Sequence, residues 1–361
     1  MFSDTDRAHM GRALELAERG LYTATPNPRV GCVIVRGGEV VGEGWHERAG
    51  EPHAEVLALR AAGPRAAGAT VYVTLEPCVH HGRTPPCTAV LTEAKVSRVV
   101  AAMADPNPLV SGKGFAALQA AGIETEVGLL EAQARELNIG FVSRMTRGRP
   151  WVRLKIAASL DGKTALSNGR SQWITGQEAR RDGHAWRARA CAVLTGIGTV
   201  RDDDPKLTVR DVATPRQPVR VVVDSRLETP AKAQVLGPGA IVAAAVQDSP
   251  QRAALETTGA EVIVMRNDAG KVDLAELMRE LARRQMNEIH VEAGYKLNAS
   301  LLREGLVDEL VVYLAPSILG HSARGMFDLP ELEDLAGRHE LDFTELRPIG
   351  SDIRVIARVR H

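Results

Sequence analysis

The chain has 361 residues, 44% of them hydrophobic and 25% charged, and Lys+Arg balances Asp+Glu at 45 each. These proportions exclude a mainly disordered protein, and at roughly 150 residues per domain the length points to two domains. Zero net charge argues against a protein devoted to a nucleic-acid backbone, and the most apolar stretch, residues 241–246, is far short of the ~20 residues that a membrane span needs.

The start, Met1-Phe2-Ser3-Asp4, is polar and runs into an Ala/Leu/Glu pattern. It predicts a helix over 7–19, stopped by Gly20, and no signal peptide. Four cysteines (Cys32, Cys78, Cys87 and Cys191) are too few for a disulfide scaffold in a chain of this length. Reduced thiols and a cytoplasmic location are therefore expected.

Strand patterns at 30–35, 70–75 and 98–103 alternate with helical ones at 54–62, 88–95 and 129–138. This alternation predicts layered α/β structure with a mostly parallel sheet. The basic stretch Arg144-Met145-Thr146-Arg147-Gly148-Arg149-Pro150 lacks periodicity and places a boundary, giving domains 1–147 and 148–361. Strands then follow at 151–157, 192–197, 219–224, 240–246, 261–265, 288–292 and 309–315. A terminal hairpin, 342–347 with 352–358, turns at Pro348-Ile349-Gly350.

The strongest chemical signal is Pro52-His53-Ala54-Glu55 followed by Pro77-Cys78 and Pro86-Cys87. One imidazole and two thiolates make three zinc ligands and leave a fourth position for water, as in catalytic sites. Zinc brings the pKa of that water near 7, and Glu55, two residues from His53, is placed to move protons without being a ligand. Alone, a histidine at a helix start is a cap or surface group and a buried cysteine is packing. Together they point to catalytic zinc. A structural zinc would take a fourth ligand from His80 or His81 and leave Glu55 without a role. Eight residues, Val79-His80-His81-Gly82-Arg83-Thr84-Pro85-Pro86, separate the cysteines, where a zinc deaminase of free or nucleic-acid bases has two. The Arg and His content of this insert suggests a substrate with an anionic tail.

Thr25-Pro26-Asn27-Pro28-Arg29-Val30-Gly31-Cys32, Gly42-Glu43-Gly44-Trp45-His46, Pro52-His53-Ala54-Glu55 and the long run from Thr74 to Cys87 closely resemble the bifunctional deaminase/reductase family of riboflavin biosynthesis. The resemblance covers essentially the whole chain. It implies a cytidine-deaminase-like three-layer α/β domain followed by a dihydrofolate-reductase-like α/β domain. It also implies that the deaminase substrate is 2,5-diamino-6-ribosylamino-4(3H)-pyrimidinone 5′-phosphate. Asn27, His46, His80 and Arg83 would contact its base, ribose or phosphate, with Glu55 as proton shuttle and His53, Cys78 and Cys87 on zinc.

No complete Gly-x-Gly-x-x-Gly occurs in the second half. Gly196-Ile197-Gly198-Thr199 and Val291-Glu292-Ala293-Gly294 each follow a strand, and each reads equally as a phosphate loop or a tight turn. Lys155-Ile156-Ala157-Ala158-Ser159-Leu160-Asp161-Gly162-Lys163, Ser171-Gln172-Trp173-Ile174-Thr175-Gly176 and the run from Asp202 to Arg210 resemble the same family's reductase domain. That resemblance implies NADPH and hydride transfer to C1′ of the open ribose imine, giving the ribityl chain. Ala157, Trp173, Thr199, Asp203, Gly294, Tyr295, Lys296, Leu297, Asn298, Ala299 and Ser300 would line the cofactor site. Ser171, Arg187, Leu207, Arg210 and Glu292 would hold the substrate. Tyr295-Lys296-Leu297-Asn298 departs from the family's usual Pro-Thr-Leu-Ala, and Cys191 stands where the family commonly has an acid.

The expectation is an enzyme for a small phosphorylated pyrimidine, with no nucleic-acid or membrane partner and with homo-oligomerisation through the reductase domain. A nucleic-acid deaminase would need a basic groove and a shorter loop between the cysteines. A binding or assembly protein with relic sites would have no need for Glu55 beside three intact ligands.

Overall fold

Ser3 caps the first helix. Its hydroxyl accepts the Asp6 backbone N–H at 3.0 Å while the Asp6 carboxylate accepts the Ser3 N–H at 2.9 Å, a reciprocal arrangement that satisfies two end donors. In this computed structural model, which describes residues 2–79, 86–247 and 250–361, that helix opens the first of two units, Met1–Gly148 and Arg149–His361.

In chain order the first unit has α1 (Asp4–Glu18), β1 (Gly31–Arg36), β2 (Glu39–Trp45), α2 (Ala54–Ala62), β3 (Thr70–Val73), α3 (Cys87–Glu93), β4 (Arg98–Ala101), α4 (Lys113–Ala120), β5 (Glu124–Val127), α5 (Glu131–Leu137) and α6 (Ile139–Arg147). The sheet order is β2-β1-β3-β4-β5. Strands β3, β4 and β5 run parallel, whereas β1 pairs antiparallel with both β2 and β3. The sheet is thus evenly mixed instead of mostly parallel, because β2 escapes the apolar pattern. Its Gly42 and Gly44 lie where α2 presses on the sheet: a Cβ on Gly42 would stand 2.2 Å from the Ala58 carbonyl oxygen, and one on Gly44 2.5 Å from that of Ala54. Gly31 makes the same close approach to α1, 1.9 Å from the Ala13 oxygen. Helices therefore cover both faces of the sheet, and the core between them includes Met10, Leu16, Ile34, Val71, Val99 and Leu118.

The basic stretch read as a linker is helical as far as Arg147, and Gly148, with φ 67°, ends it in a left-handed cap. The apolar stripe of α6 stops near Val142, so its polar last turn carries no periodic signal. The helix expected over 129–138 is α5, and α6 follows it directly across buried Asn138. The Asn138 side chain accepts the Arg29 N–H at 2.7 Å and donates to the Arg29 carbonyl at 2.9 Å.

The second unit has β6 (Trp151–Ser159), β7 (Lys163–Ala165), α7 (Gln177–Arg189), β8 (Ala192–Gly196), α8 (Ile197–Asp203), β9 (Val219–Val223), β10 (Ala240–Ala244), α9 (Pro250–Thr257), β11 (Glu261–Val264), α10 (Leu274–Arg283), β12 (Glu288–Val291), α11 (Tyr295–Arg303), β13 (Glu309–Ala315), β14 (Arg324–Gly325), β15 (Leu341–Ile349) and β16 (Asp352–Val359). Its sheet runs β11-β10-β9-β8-β12-β6-β13-β16-β15, parallel through β13 and closed by the antiparallel β15–β16 hairpin. Buried Arg153 on β6 is sandwiched between Glu288 on β12 and Glu309 on β13, and Arg189 from α7 reaches Glu288 at 2.7 Å. Charges removed from water in this way are tolerable because each has a partner. Strands β6, β8, β9 and β12 end at Ser159, Gly196, Val223 and Val291, the edge where open α/β sheets bind ligands.

Candidate active sites

Three segments meet at the top of the first sheet. His53 is the N-cap of α2 and makes no capping hydrogen bond. Its ring turns instead toward the cysteines, with Nδ1 3.2 Å from Cys87 Sγ and 3.6 Å from Cys78 Sγ. Cys87 is the first residue of α3, and its N–H donates to Cys78 Sγ at 3.4 Å. Hydrogen bonding from the Cys87 thiol, aided by His53, pulls the Cys78 thiol down to about 4. All three donor atoms lie within 4.8 Å of one another. One nitrogen and two sulfurs at this spacing suit a tetrahedral zinc ion with bonds of about 2.0–2.3 Å.

Glu55 is the second residue of α2, 3% exposed and in hydrogen-bonding reach of the Cys87 sulfur. Burial pushes its carboxyl up, and the neighbouring His53 pulls the other way. His46 at the end of β2 packs edge-on against His53, with ring centroids 5.4 Å apart. Its Nδ1 is 3.2 Å from the Pro52 carbonyl, which can only accept, so Nδ1 carries the proton. Nε2 is then the acceptor for the Asn27 amide, 3.0 Å away. Burial lowers the His46 pKa, in keeping with a neutral ring. The structure thus brings together His53, Cys78, Cys87, Glu55, His46 and Asn27. His80 and Arg83 lie outside the described residues.

Glu76 is a partner that the sequence reading missed. Fully buried beside Pro77-Cys78, it accepts three backbone N–H groups, from Asp105 and Gly112 at 3.0 Å and from Gly114 at 2.8 Å. One carboxylate therefore fastens the 105–114 segment to the cysteine-bearing loop. Its only sequence signal is an acid between an apolar strand and a proline.

At the C-terminal edge of the second sheet are two cavities of about 680 and 720 Å³, a size suited to organic ligands. Ala157, Thr199, Asp203, Gly294, Tyr295, Lys296, Leu297 and Asn298 line the first. Arg187, Leu207, Arg210 and Trp173 line the second, and Ala157, Thr199, Asp203, Ser171 and Glu292 line both. Trp173 therefore stands on the cavity that holds the expected substrate residues. Ala299 is buried in the core, and Ser300 turns its hydroxyl back to the Lys296 carbonyl at 3.1 Å. Gly294 is the N-cap of α11 and leaves the first-turn N–H groups without a side-chain cap, a setting suited to phosphate oxygens.

Arg187 holds Glu292 with two contacts and also donates to the Thr208 carbonyl at 2.9 Å. Burial pushes the Glu292 carboxyl up, but Arg187 and then His290 outweigh it, keeping Glu292 well below the usual carboxylate range. Buried His184 accepts the Arg210 N–H on Nδ1 at 3.2 Å. Cys191 accepts the Asn287 N–H at 3.2 Å, a structural contact.

Residues 150–355 match the family model of the RibD C-terminal domain, and residues 3–103 match that of the cytidine and deoxycytidylate deaminase zinc-binding region. The riboflavin biosynthesis protein RibD of Escherichia coli is 51% identical, with 96% of this chain and 98% of that protein covered. The chain belongs to the RibD family. Solved RibD structures agree: that from Acinetobacter baumannii, form 1, is 44% identical with a TM-score of 0.92, and 99% of each chain is covered. A diaminohydroxyphosphoribosylaminopyrimidine deaminase/5-amino-6-(5-phosphoribosylamino)uracil reductase from Thermotoga maritima is 34% identical, with a TM-score of 0.86 and 99% of each chain covered. As a RibD-family protein this is a bifunctional enzyme of riboflavin biosynthesis, combining a zinc-dependent deaminase with an NADPH-dependent reductase. It acts on a small molecule, and no described helix is long and apolar enough to cross a membrane.

Seen as a RibD reductase, the second unit holds one further residue that the sequence reading left without a role. Lys155 lines both cavities, and burial lowers its pKa beside Glu292 and Arg187. Lys155 and Arg153 share one face of β6, which breaks the apolar alternation twice. That repeated charge was the available signal.

Proposed function

We propose that the deaminase lies in residues 1–147 and the reductase in 148–361, acting in turn on 2,5-diamino-6-ribosylamino-4(3H)-pyrimidinone 5′-phosphate to give 5-amino-6-ribitylamino-uracil 5′-phosphate. The observation that carries the first half is the convergence of one imidazole and two thiolates beside a buried carboxylate. His53, Cys78 and Cys87 hold zinc, which when bound supplies a water activated for attack at neutral pH. Glu55 carries one proton from the attacking water to the ring nitrogen, then takes the second from the same oxygen after attack and delivers it to the departing ammonia. With its amide nitrogen given to His46, Asn27 presents its carbonyl oxygen to a ring amine. His46 orients Asn27 and borders the base, while His80 and Arg83 are assigned to the ribose phosphate.

In the reductase, NADPH supplies the hydride. Ala157, Thr199, Asp203 and the turn from Gly294 through Ser300 position it, with Trp173 bordering the nicotinamide end from the second cavity. Ser171, Arg187, Leu207, Arg210 and Glu292 hold the ribotide. Arg187 and Arg210 face its phosphate, and Glu292 accepts from its hydroxyls. The ribotide and cofactor reach their seats without any membrane or nucleic-acid partner, which zero net charge supports for the nucleic acid, and the small number of cysteines supports a cytoplasmic enzyme. Exposed Phe343 and Leu346 on the edge strand β15 support a homo-oligomer formed through the second unit. The mass of the particle in solution tests that.

The activity is tested by mass spectrometry of products from the zinc-loaded protein and the ribotide, with and without NADPH. Deaminated product without NADPH, and deaminated, reduced product with it, support both assignments. Deamination alone would remove the reductase assignment, and no turnover would remove the substrate.

A further inference from the structure

The first cavity follows the C-terminal edge of the sheet from β6 across β12 and β8 to β9. Three strand spacings of ~4.8 Å make a path of roughly 14 Å, long enough to separate the two ends of a dinucleotide. Its β6 end contains Lys155 and Glu292, and its middle is walled by Gly196, Gly198 and Gly294. The β9 end has a different character: beyond Val223 it is lined by Arg201, Arg226 and Lys271 around Glu228.

The geometry at that end is specific. Arg226 Nε is 3.1 Å from Glu228 Oε1, and Arg201 Nη2 is 3.1 Å from Glu228 Oε2. One carboxylate thus steadies two exposed guanidiniums, one on each oxygen. Lys271 is brought alongside by its neighbour, because the Val272 N–H donates to the hydroxyl of Ser225 at 3.1 Å. Among the described residues Lys271 has no carboxylate partner. Three cations and one carboxylate leave a net charge of +2 here, and a phosphate monoester carries about −1.5 to −2 at neutral pH.

We propose that Arg226 and Lys271 seat the 2′-phosphate of the cofactor, with Arg201 and Glu228 fixing the Arg226 guanidinium, and so make this reductase select NADPH over NADH. The inference rests on the reading of this cavity as the cofactor site. NADH would enter the same cavity but leave the two cations facing a hydroxyl, so the discrimination lies at the adenosine end, away from the hydride.

Calorimetric titration of the full-length, zinc-loaded protein with NADP+ and with NAD+ tests it without relying on turnover. In the doubly substituted Arg226→Ala/Lys271→Ala protein, NADP+ binding should weaken roughly 10- to 100-fold, as expected for lost charge-assisted contacts, while NAD+ binding changes by less than about threefold. Affinity for NADP+ in the wild type should also fall more steeply with added salt than that for NAD+, and the two dependences should converge in the double variant. Equal weakening of both ligands, or of neither, would overturn the proposal. Gly198→Leu, whose side chain would grow into open space at the middle of the cavity, is the control for the underlying reading and should weaken NADP+ and NAD+ alike. If Gly198→Leu leaves both unchanged, the cavity assignment fails. If it weakens both while the double variant does not discriminate, the 2′-phosphate seat alone fails.

Discussion

Arg187 meets Glu292 side by side, Nη2 on Oε2 at 2.9 Å and Nε on Oε1, so that a helix and a strand end are joined by a planar two-bond contact. The pair keeps an acid ionised at a place where burial alone would neutralise it. A lysine cannot make both bonds.

Arg187→Lys should therefore lower kcat/KM of the reduction by roughly 10- to 100-fold and leave deamination intact. It should also change the pH profile. Losing the clamp lets the Glu292 carboxyl rise toward the range set by burial, so the acidic limb of reductase kcat/KM should move to higher pH. A steady-state profile from pH 4 to 8 on the deaminated intermediate checks this, and an unmoved limb would separate Glu292 from substrate binding.

Glu55→Gln keeps the shape and hydrogen-bonding capacity of the side chain but cannot shuttle protons. Deamination should fall by roughly 100-fold or more, within the usual range for a lost general acid–base. Zinc content, measured by elemental analysis, should stay at the wild-type value, and supplied intermediate should be reduced at the wild-type rate. Loss of zinc in this variant would make Glu55 a ligand and refute its assigned role.

Glu76→Ala leaves three backbone N–H groups without an acceptor, those of Asp105 and Gly114 in buried contacts. The first unit should lose about 2–4 kcal/mol of stability, and deamination should fall because the Cys78 loop is no longer fastened to the 105–114 segment. Thermal unfolding followed together with the two separate activities would detect this. A wild-type melting profile would show that backbone reorganisation replaces the carboxylate.

Asp6 joins the Ser3 cap to Tyr72 and Arg98, at 2.7 Å and 3.0 Å. Burial raises the Asp6 pKa, but hydrogen bonds from Tyr72, Ser3 and Arg98 outweigh it, and the net shift is downward from the ordinary 3.8. A depressed folded pKa gives stability that is complete above the unfolded value and is lost as pH falls through the folded one. Asp6→Asn should thus destabilise the first unit by about 1–3 kcal/mol at pH 7. The gap to wild type should narrow below pH 4. Denaturant titrations at pH 7 and pH 3 measure both differences, and an equal gap at the two values would contradict the assignment.

The zinc ligands and Glu55 were legible because metal chemistry demands particular atoms at short sequence spacing beside helix starts. Asn27 and His46 were accessible only through resemblance, since their pairing crosses a hairpin. Strand β2 stayed hidden because Gly42 and Gly44 replace the apolar residues that announce a strand. By contrast α10 was open to reading: Leu274, Leu277, Met278 and Leu281 fall on one helical face after the Asp273 cap, yet it was passed over. Nothing local could have revealed Arg153 between Glu288 and Glu309, or Lys271 beside Arg226. Those neighbours are made by strand order and by one hydroxyl contact far apart in the chain.

The close seat of α2 on β2 has a genetic consequence. Position 44 touches neither metal nor substrate, yet a single methyl group there would push away the Ala54 carbonyl and the Ala58 amide, and with them the turn that carries His53 and Glu55. Alanine at 44 should behave in a cell as though the metal ligand itself had been deleted. A strain relying on that allele should need riboflavin in its medium, and a separately expressed deaminase unit should relieve the need while the allele's own second half still performs the reduction.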